Sequence, residues 1–339
     1  MSIILDREPD VKSPQDRARN KSADQSPVFI VGVHRSGTTL LRYMLNSSPR
    51  IFIPPESDFI PRFFGRHPTD ELSQKRIASL LNIIFARYRL VKEWQDKPPR
   101  VETFLQRMEG RTPAAFLDTL YRSYAAQYGA VRWGDKTPIY TSYLDLIHQI
   151  FPRAQFVHII RDGRDVALSM LDKWGKREIH VDIYFAARNW VRRIRQAQTS
   201  GARLSSDSYY ELRYEALVED PEAELRPLCE FLGEPFFPVM AKPHLLGRAN
   251  LQEGDFHAPL RQPPSTGRIG RWKQEMSWAD RRLFQDVAGE LLAELGYEVE
   301  DVEKGPLQEQ ARVWLLATKY TTLQAGRSVL QALGILPPI

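Results

Sequence analysis

Apolar positions along the chain follow two rhythms that alternate from Pro27 onward. The stretch "VFIVGV", Val28 to Val33, is a short run of β-branched and aromatic residues opened by Pro27 and interrupted by Gly32. That pattern predicts a strand buried on both faces. The next stretch, "GTTLLRYMLNSSP", sets Leu40, Leu41, Met44 and Leu45 at helical spacing and stops before Pro49. "RAQFVHIIRDGRDVALSML" repeats strand, turn and helix, with the strand at Gln155 to Ile160. "DSYYELRYEALVEDPEAELRPLCEFLG" does so again, Asp220 and Pro221 opening a helix that stops at Gly233. Between the first and second units, residues 61–130 read as helical. "DELSQKRIASLLNIIFARYRLVKEW" is amphipathic, and "TPAAFLDTLYRSYAAQYG" has Thr112 as cap, Pro113 in the first turn and Gly129 as stop. The alternation predicts an α/β domain, a parallel sheet flanked by helices, with ligands bound outside the carboxyl ends of the strands.

The same pattern divides the chain. Residues 1–26 are polar and charged, lack the apolar run of a signal peptide, and read as a disordered tail. Residues 27–300 form the domain, with 61–130 as a helical insertion covering the sheet edge and shaping an acceptor pocket. Residues 301–339 form an amphipathic helical tail, unusually apolar, that docks on the domain, on a second copy as a homodimer, or on a membrane surface. No run of about 18 apolar residues occurs, so a spanning helix is not expected and the cytoplasm is the default compartment.

Charge and cysteine content narrow the partners. Forty-seven Lys and Arg against 42 Asp and Glu give a formal charge of +5, which suits a small polyanion and lacks the dense basic stripe of a nucleic-acid binder. The single cysteine, Cys229, sits on an apolar helical face and reads as core. A disulfide within the chain and a Cys-based metal site are both excluded.

The first loop carries the candidate chemistry. Gly32 and Gly37 have the spacing of a phosphate-binding loop, yet the lysine is missing: Thr38 and Thr39 follow, and the cation is Arg35 inside the loop. Backbone N–H groups at the start of the following helix point at an anion. The second strand ends in Arg161 where a P-loop NTPase has a metal-binding Asp, and Ser169 follows on the next helix. A cation there binds phosphate bidentately rather than a metal. The ligand therefore carries anionic groups at two separated places. Three readings stand at this point: a nucleotide-dependent transferase, a divergent P-loop kinase, and a nucleotide-binding scaffold without catalysis.

These segments resemble the sulfotransferases that use 3′-phosphoadenosine 5′-phosphosulfate (PAPS). "HRSGTTLLR" is similar to their 5′-phosphosulfate loop, which implies that Arg35 holds the sulfonate and bridging oxygen, that Thr38 and Thr39 hold the 5′-phosphate, and that Ser36 and Gly37 belong to the same cofactor-binding loop. "IIRDGRDVALSML" resembles their 3′-phosphate segment, with Arg161 and Ser169 as contacts. "LRYEALVEDPEAELRPLCEFLG" resembles the stretch whose tyrosine, here Tyr214, borders the adenine. "STGRIGRWK" resembles the glycine-basic loop over the nucleotide, with Gly267 and Arg268, although Ser265 and Thr266 replace the Arg-Lys pair of cytosolic members. Arg35, "PPESDFIPRFF" and "GDKTP" resemble the bacterial and protein-tyrosine or carbohydrate-type branch.

The resemblance implies sulfuryl transfer to a hydroxyl acceptor, whether small molecule, lipid, glycan or protein tyrosine, with no metal. Glu56 matches that branch's catalytic glutamate, with Asp58, Asp135 and His34 as rival bases, and Lys136 neutralises the leaving phosphate oxygen. Asp162 and Asp165 pair with arginines or cap the helix. Trp174 is core or lid packing, or an acceptor contact.

Overall fold

The computed structural model describes residues 26–87, 99–175, 182–245 and 262–301, with scattered positions between 307 and 326. The described chain contains five parallel strands, β1 (Val28–Gly32), β2 (Ile51–Phe52), β3 (Arg132–Lys136), β4 (Gln155–Ile160) and β5 (Tyr209–Arg213), in the order β2-β3-β1-β4-β5. β1 is central and wholly buried because its side chains serve both faces. Phe29 and Val31 pack with Phe156 and Trp133 on one face, while Val28 and Ile30 pack with Val157, Ile159 and Leu212 on the other. This two-residue period is that of a strand between two helical layers.

Helices follow the caps read from the sequence. Helix α1 (Thr38–Asn46) leaves the first loop and places Leu40, Leu41, Met44 and Leu45 in the second of those faces. The insertion holds α2 (Ile60–Phe64), α3 (Gln74–Arg87), α4 (Val101–Arg107) and α5 (Pro113–Gln127). Thr112 Oγ1 accepts from the backbone N–H of Ala115 at 3.2 Å, and Gly129 beyond the helix has φ 70°. α5 and the residue after it pack on β2 and β3: Tyr128 stacks on Phe52 at 3.9 Å, and Tyr121 on Trp133 at 4.5 Å. The insertion also supplies Phe64, Ile77, Leu80, Phe104 and Phe116 to the core beneath the sheet. The later part of the stretch read as one amphipathic helix lies outside the described residues.

β3 leads through a 3-10 turn (Pro138–Ser142) into α6 (Leu144–Ile150), and β4 into α7 (Gly163–Met170), a π-turn (Leu171–Gly175) and α8 (Ile183–Gly201). β5 is followed by α9 (Tyr214–Glu219) and α10 (Pro221–Leu232), where Asp220 accepts from the Ala223 N–H and Gly233 has φ 71°. A 3-10 turn (Thr266–Arg268), α11 (Trp272–Glu275) and α12 (Trp278–Glu294) complete the domain. Cys229 is buried on α10, as read, and burial pushes its thiol up to about 12.

The N-terminal tail lies outside the described residues. In the C-terminal tail Val313 packs partly against the α7–α8–α12 core, whereas Trp314 and Leu315 are exposed. Among the described residues no helix is long and apolar enough to cross a membrane.

Short strands β2 and β3 were not read from the sequence. "RWGDK" has three ionisable residues in five, all buried, and each is paired. Arg132 is 1% exposed: Nε donates to Ser26 O at 2.7 Å, NH1 to Leu232 O at 2.6 Å and to Glu234 at 3.3 Å, and NH2 to Gln155. One guanidinium thus ties the starts of β1, β3 and β4 to the end of α10. Removing one partner of a buried pair costs about 3–5 kcal/mol. Arg132→Met is expected to lower stability in denaturant unfolding by about that amount, and a loss under about 1 kcal/mol would contradict the role given to this residue.

Candidate active site

The β1 connection runs towards β2 on one side of the sheet, while β4 leads to β5 on the other. Their carboxyl ends therefore open a crevice between adjacent strands, the usual ligand position in such sheets. The loop after β1 turns tightly, with the Ser36 N–H bonded to Val33 O at 3.1 Å. Arg35 and Gly37 have φ 73° and 98°. At Gly37 a Cβ would lie 2.4 Å from Tyr214 Cδ2, so only glycine satisfies both the conformation and the contact. Arg35 bears the strain of that region with a side chain, a cost that recurs at binding sites. No side chain caps α1, which leaves its first N–H groups directed at the crevice.

Two arginines meet there. Arg35 Nε donates to Ser169 Oγ at 3.0 Å, joining the β1 loop to α7. Arg161 NH1 donates to Arg35 O at 3.1 Å and NH2 to Arg268 O at 2.5 Å, and its guanidinium lies 4.4 Å from the Tyr214 ring centre. Burial, followed by repulsion from Arg268 and Arg161, holds the Arg35 guanidinium below its ordinary value. Two buried polar atoms face this region without a partner, Ser36 Oγ and Arg161 Nε. A polyanion fits this set. Arg161 NH1 and NH2 each give one proton to a carbonyl, which leaves Nε–H and the second proton on each terminal nitrogen for an anion. Tyr214 is buried between Gly37 and Arg161.

The glycine-basic loop lies over the crevice. Gly267 and Arg268 are exposed, and the Gly267 N–H bonds Ser265 Oγ at 3.2 Å. Its anchor is Asp165, whose carboxylate accepts from the N–H groups of Gly270 at 2.8 Å and Trp272 at 3.1 Å and sits 3.8 Å from Arg161. Asp162 caps α7 and grips Arg164, which lies 3.5 Å from the Trp272 ring centre. Both aspartates thus pair and cap as read, but the tie from Asp165 to a loop a hundred residues away has no local sequence signal.

On the other side of the loop stands an ion pair. Lys136 Nζ is 2.7 Å from Glu56 Oε1 and 3.3 Å from Thr39 Oγ1; its side chain is 3% exposed against 45% for Glu56. The lysine is therefore a buried, paired side chain and not a solvated surface group. Asp58 is exposed, with φ 52°, and burial pushes its carboxyl up while Arg62 pulls it down. Asp135 is fully buried, and its Oδ2 accepts from the hydroxyls of Ser57 and Tyr121. His34 packs edge-on against Trp174 at 5.9 Å. Burial lowers its pKa to about 4, assisted by Arg193, Lys136 and Lys173 and opposed by Glu56. Arg193, not anticipated, reaches in from α8 and donates to Ile139 O at 3.0 Å and Ser142 Oγ at 2.6 Å. Among the described residues no three His, Cys, Asp or Glu side chains gather as metal ligands.

A phosphate-type loop with an internal arginine, an arginine at the next strand end and a Glu–Lys pair beside them define a transferase site on a P-loop-like α/β fold. The sulfotransferase family profile matches residues 27–238, and the chain belongs to that family. It is 26% identical over 311 residues to the nodulation protein NoeE of Sinorhizobium fredii, covering 82% of this chain and 68% of that protein. It is 25% identical to protein-tyrosine sulfotransferase 1 of Danio rerio, covering 81% and 73%. The sulfotransferase domain of the Synechococcus olefin synthase superposes with a TM-score of 0.57 at 23% identity, covering 81% of this chain and 97% of that domain. The corresponding domain from the curacin biosynthetic pathway gives 0.56 at 17% identity, covering 81% and 99%. These neighbours show the same fold.

The His34 environment has a consequence for pH. Its folded pKa, about 4, lies below the ordinary 6.5, so the unfolded chain takes up the proton first. Stability contributed by neutral His34 is complete above 6.5 and is lost as pH falls towards 4. His34→Gln is expected to flatten the acid limb of melting temperature against pH relative to the parent. Parallel curves for the two proteins would contradict the assignment.

Proposed function

We propose that this sulfotransferase takes its sulfuryl group from PAPS and passes it to a hydroxyl acceptor in one in-line step, releasing adenosine 3′,5′-bisphosphate. The observation that carries the reading is the crevice itself. Arg35, Arg161 and Arg268 gather against mutual repulsion around a loop with an unpartnered buried hydroxyl, and a second anchor lies at the end of β4. A donor with a phosphosulfate at one end and a further phosphate at the other offsets that repulsion at both places. Ser36, Gly37, Thr38 and Thr39 take the 5′-phosphate, Arg161 and Ser169 the 3′-phosphate, Tyr214 lines the adenine, and Gly267 and Arg268 close over it.

Glu56 takes the acceptor's proton as its oxygen attacks sulfur, and the bond from sulfur to the phosphate oxygen breaks. Arg35 and Lys136 offset the charge that grows on the transferred group and on the leaving oxygen. No metal is needed, since the SO₃ group carries less charge than a phosphoryl group. The Lys136–Glu56 contact supports an exchange of partners: donor phosphate draws Lys136 away and frees the carboxylate. A kinase reading finds no support at β4, which is followed by Arg161 rather than an acid.

Relatives narrow the acceptor only to a hydroxyl. One is a protein-tyrosine sulfotransferase, and another, 24% identical over 61% of this chain and 62% of its own length, is the omega-hydroxy-beta-dihydromenaquinone-9 sulfotransferase of Mycobacterium tuberculosis. Phenols, ω-hydroxy lipids, glycans and tyrosyl peptides form the panel. Exposed Trp314 and Leu315 support docking of the 301–339 tail on a second copy or a membrane surface, and the cytoplasm is the compartment we propose.

Radiosulfur-labelled PAPS offered with that panel in the presence of EDTA tests the reaction. Label should move to at least one acceptor, and Glu56→Gln should lower kcat roughly 10²–10⁴-fold while leaving affinity for adenosine 3′,5′-bisphosphate unchanged. Transfer that stops with EDTA, or a near-normal Glu56→Gln rate, would refute the mechanism.

A further inference from the structure

Glu56 sits in a segment without regular structure between β2 and α2, where an exposed carboxylate has no helix or strand to orient it. Its neighbour supplies the restraint. Ser57 is fully buried between exposed Glu56 and Asp58. Its N–H donates to Thr137 Oγ1 at 3.1 Å, and its hydroxyl lies 2.6 Å from Asp135 Oδ2 and 2.9 Å from Tyr140 OH. Tyr140 OH accepts from the Ile60 N–H at 3.2 Å, and Tyr121 OH donates to the same Asp135 oxygen at 2.5 Å.

Proton counting fixes the direction of this chain. Ser57 has one hydroxyl proton and gives it to the carboxylate, so it accepts from Tyr140. Tyr140 gives its proton to Ser57 and takes the Ile60 N–H on its oxygen. Every donor therefore points, directly or through a hydroxyl, at Asp135. β3 presents two consecutive side chains to two consecutive loop residues: Asp135 holds Ser57 from within the core, and Lys136 holds Glu56 at the surface.

Stability alone does not account for an acid here. Asp135 is fully buried, and burial pushes its carboxyl up against the pull of the Ser57, Tyr121 and Thr137 hydroxyls, a cost that an uncharged residue would avoid. An ionised carboxylate is the one side chain of this size that accepts both hydroxyl protons strongly.

We propose that Asp135 is a positioning residue for the base, setting through Ser57 the direction in which Glu56 presents its carboxylate to Lys136 and to the acceptor. This rests on Glu56 being the base. The acceptor never touches Asp135; the effect passes through one hydrogen bond and one peptide unit.

A double-mutant cycle tests it, with labelled PAPS and the most rapidly labelled acceptor of the panel. Ser57→Ala and Asp135→Asn should each lower kcat roughly 10- to 100-fold, the scale of a displaced catalytic group, with the KM for PAPS and the affinity for adenosine 3′,5′-bisphosphate within about twofold of the parent. In the Glu56→Gln background the same changes should add no further loss, because they act through a carboxylate already gone. Full additivity would overturn the proposal, as would near-parental kcat in Ser57→Ala while Glu56→Gln is inactive; the base assignment survives both results. A near-parental Glu56→Gln removes the base assignment and this proposal with it. A crystal structure of Ser57→Ala supplies a measurement independent of turnover: the Glu56–Lys136 contact should open, and its retention at 2.7 Å would overturn the proposal.

Discussion

Arg35 and Arg161 are held together against their own repulsion, and the site is arranged around that constraint. Two desolvated guanidinium groups in one crevice are unfavourable without an anion between or beside them. The fold opposes the repulsion with fixed partners: Ser169 for Arg35, the carbonyls of Arg35 and Arg268 for Arg161, the Tyr214 ring for its face, and Asp165 behind it. These five partners come from four elements: α7 supplies Ser169 and Asp165, and the β1 loop, the glycine-basic loop and α9 supply one each. The crevice is therefore preorganised for negative charge, and it lies where the strand order requires a crevice to be.

Lys136 connects this donor side to the acceptor side. It reaches both Thr39 at the helix start and Glu56 in the following coil, so one ammonium spans the first loop and the proposed base. His34 and Trp174 stand next to the pair, and the π-turn that carries Trp174 is an irregularity often seen beside functional sites. Burial keeps His34 neutral, and beside it Glu56 is an exposed acid paired with the Lys136 ammonium.

Much of this was legible in the chain. β1, β4 and β5 announced themselves as runs of apolar, β-branched and aromatic residues, α1 through its apolar spacing and the stop before Pro49, and α5 and α10 through their caps and stops. The loop arginine, Arg161, Ser169, Glu56 and Lys136 do come together in the crevice and at its rim. β3 was hidden because its stability comes from partners distant in sequence: "RWGDK" is a strand only where Ser26, Glu234 and Gln155 accept from Arg132, and Ser57 and Tyr121 donate to Asp135. The tie from Asp165 to Gly270 and Trp272 and the entry of Arg193 were hidden for the same reason. Periodicity reports which face is buried; it carries no information on which buried polar groups will meet.

The central claim is a crevice built for a nucleotide with phosphate at both the 3′ and 5′ positions. Titration calorimetry of adenosine 3′,5′-bisphosphate and 5′-AMP into the intact chain and into Arg161→Ala tests it without knowledge of the acceptor. The bisphosphate should bind roughly 30-fold or more tightly than 5′-AMP to the intact chain, and most of that preference should vanish in Arg161→Ala. Equal affinity of the intact chain for the two nucleotides, or an undiminished preference in the variant, would contradict the account.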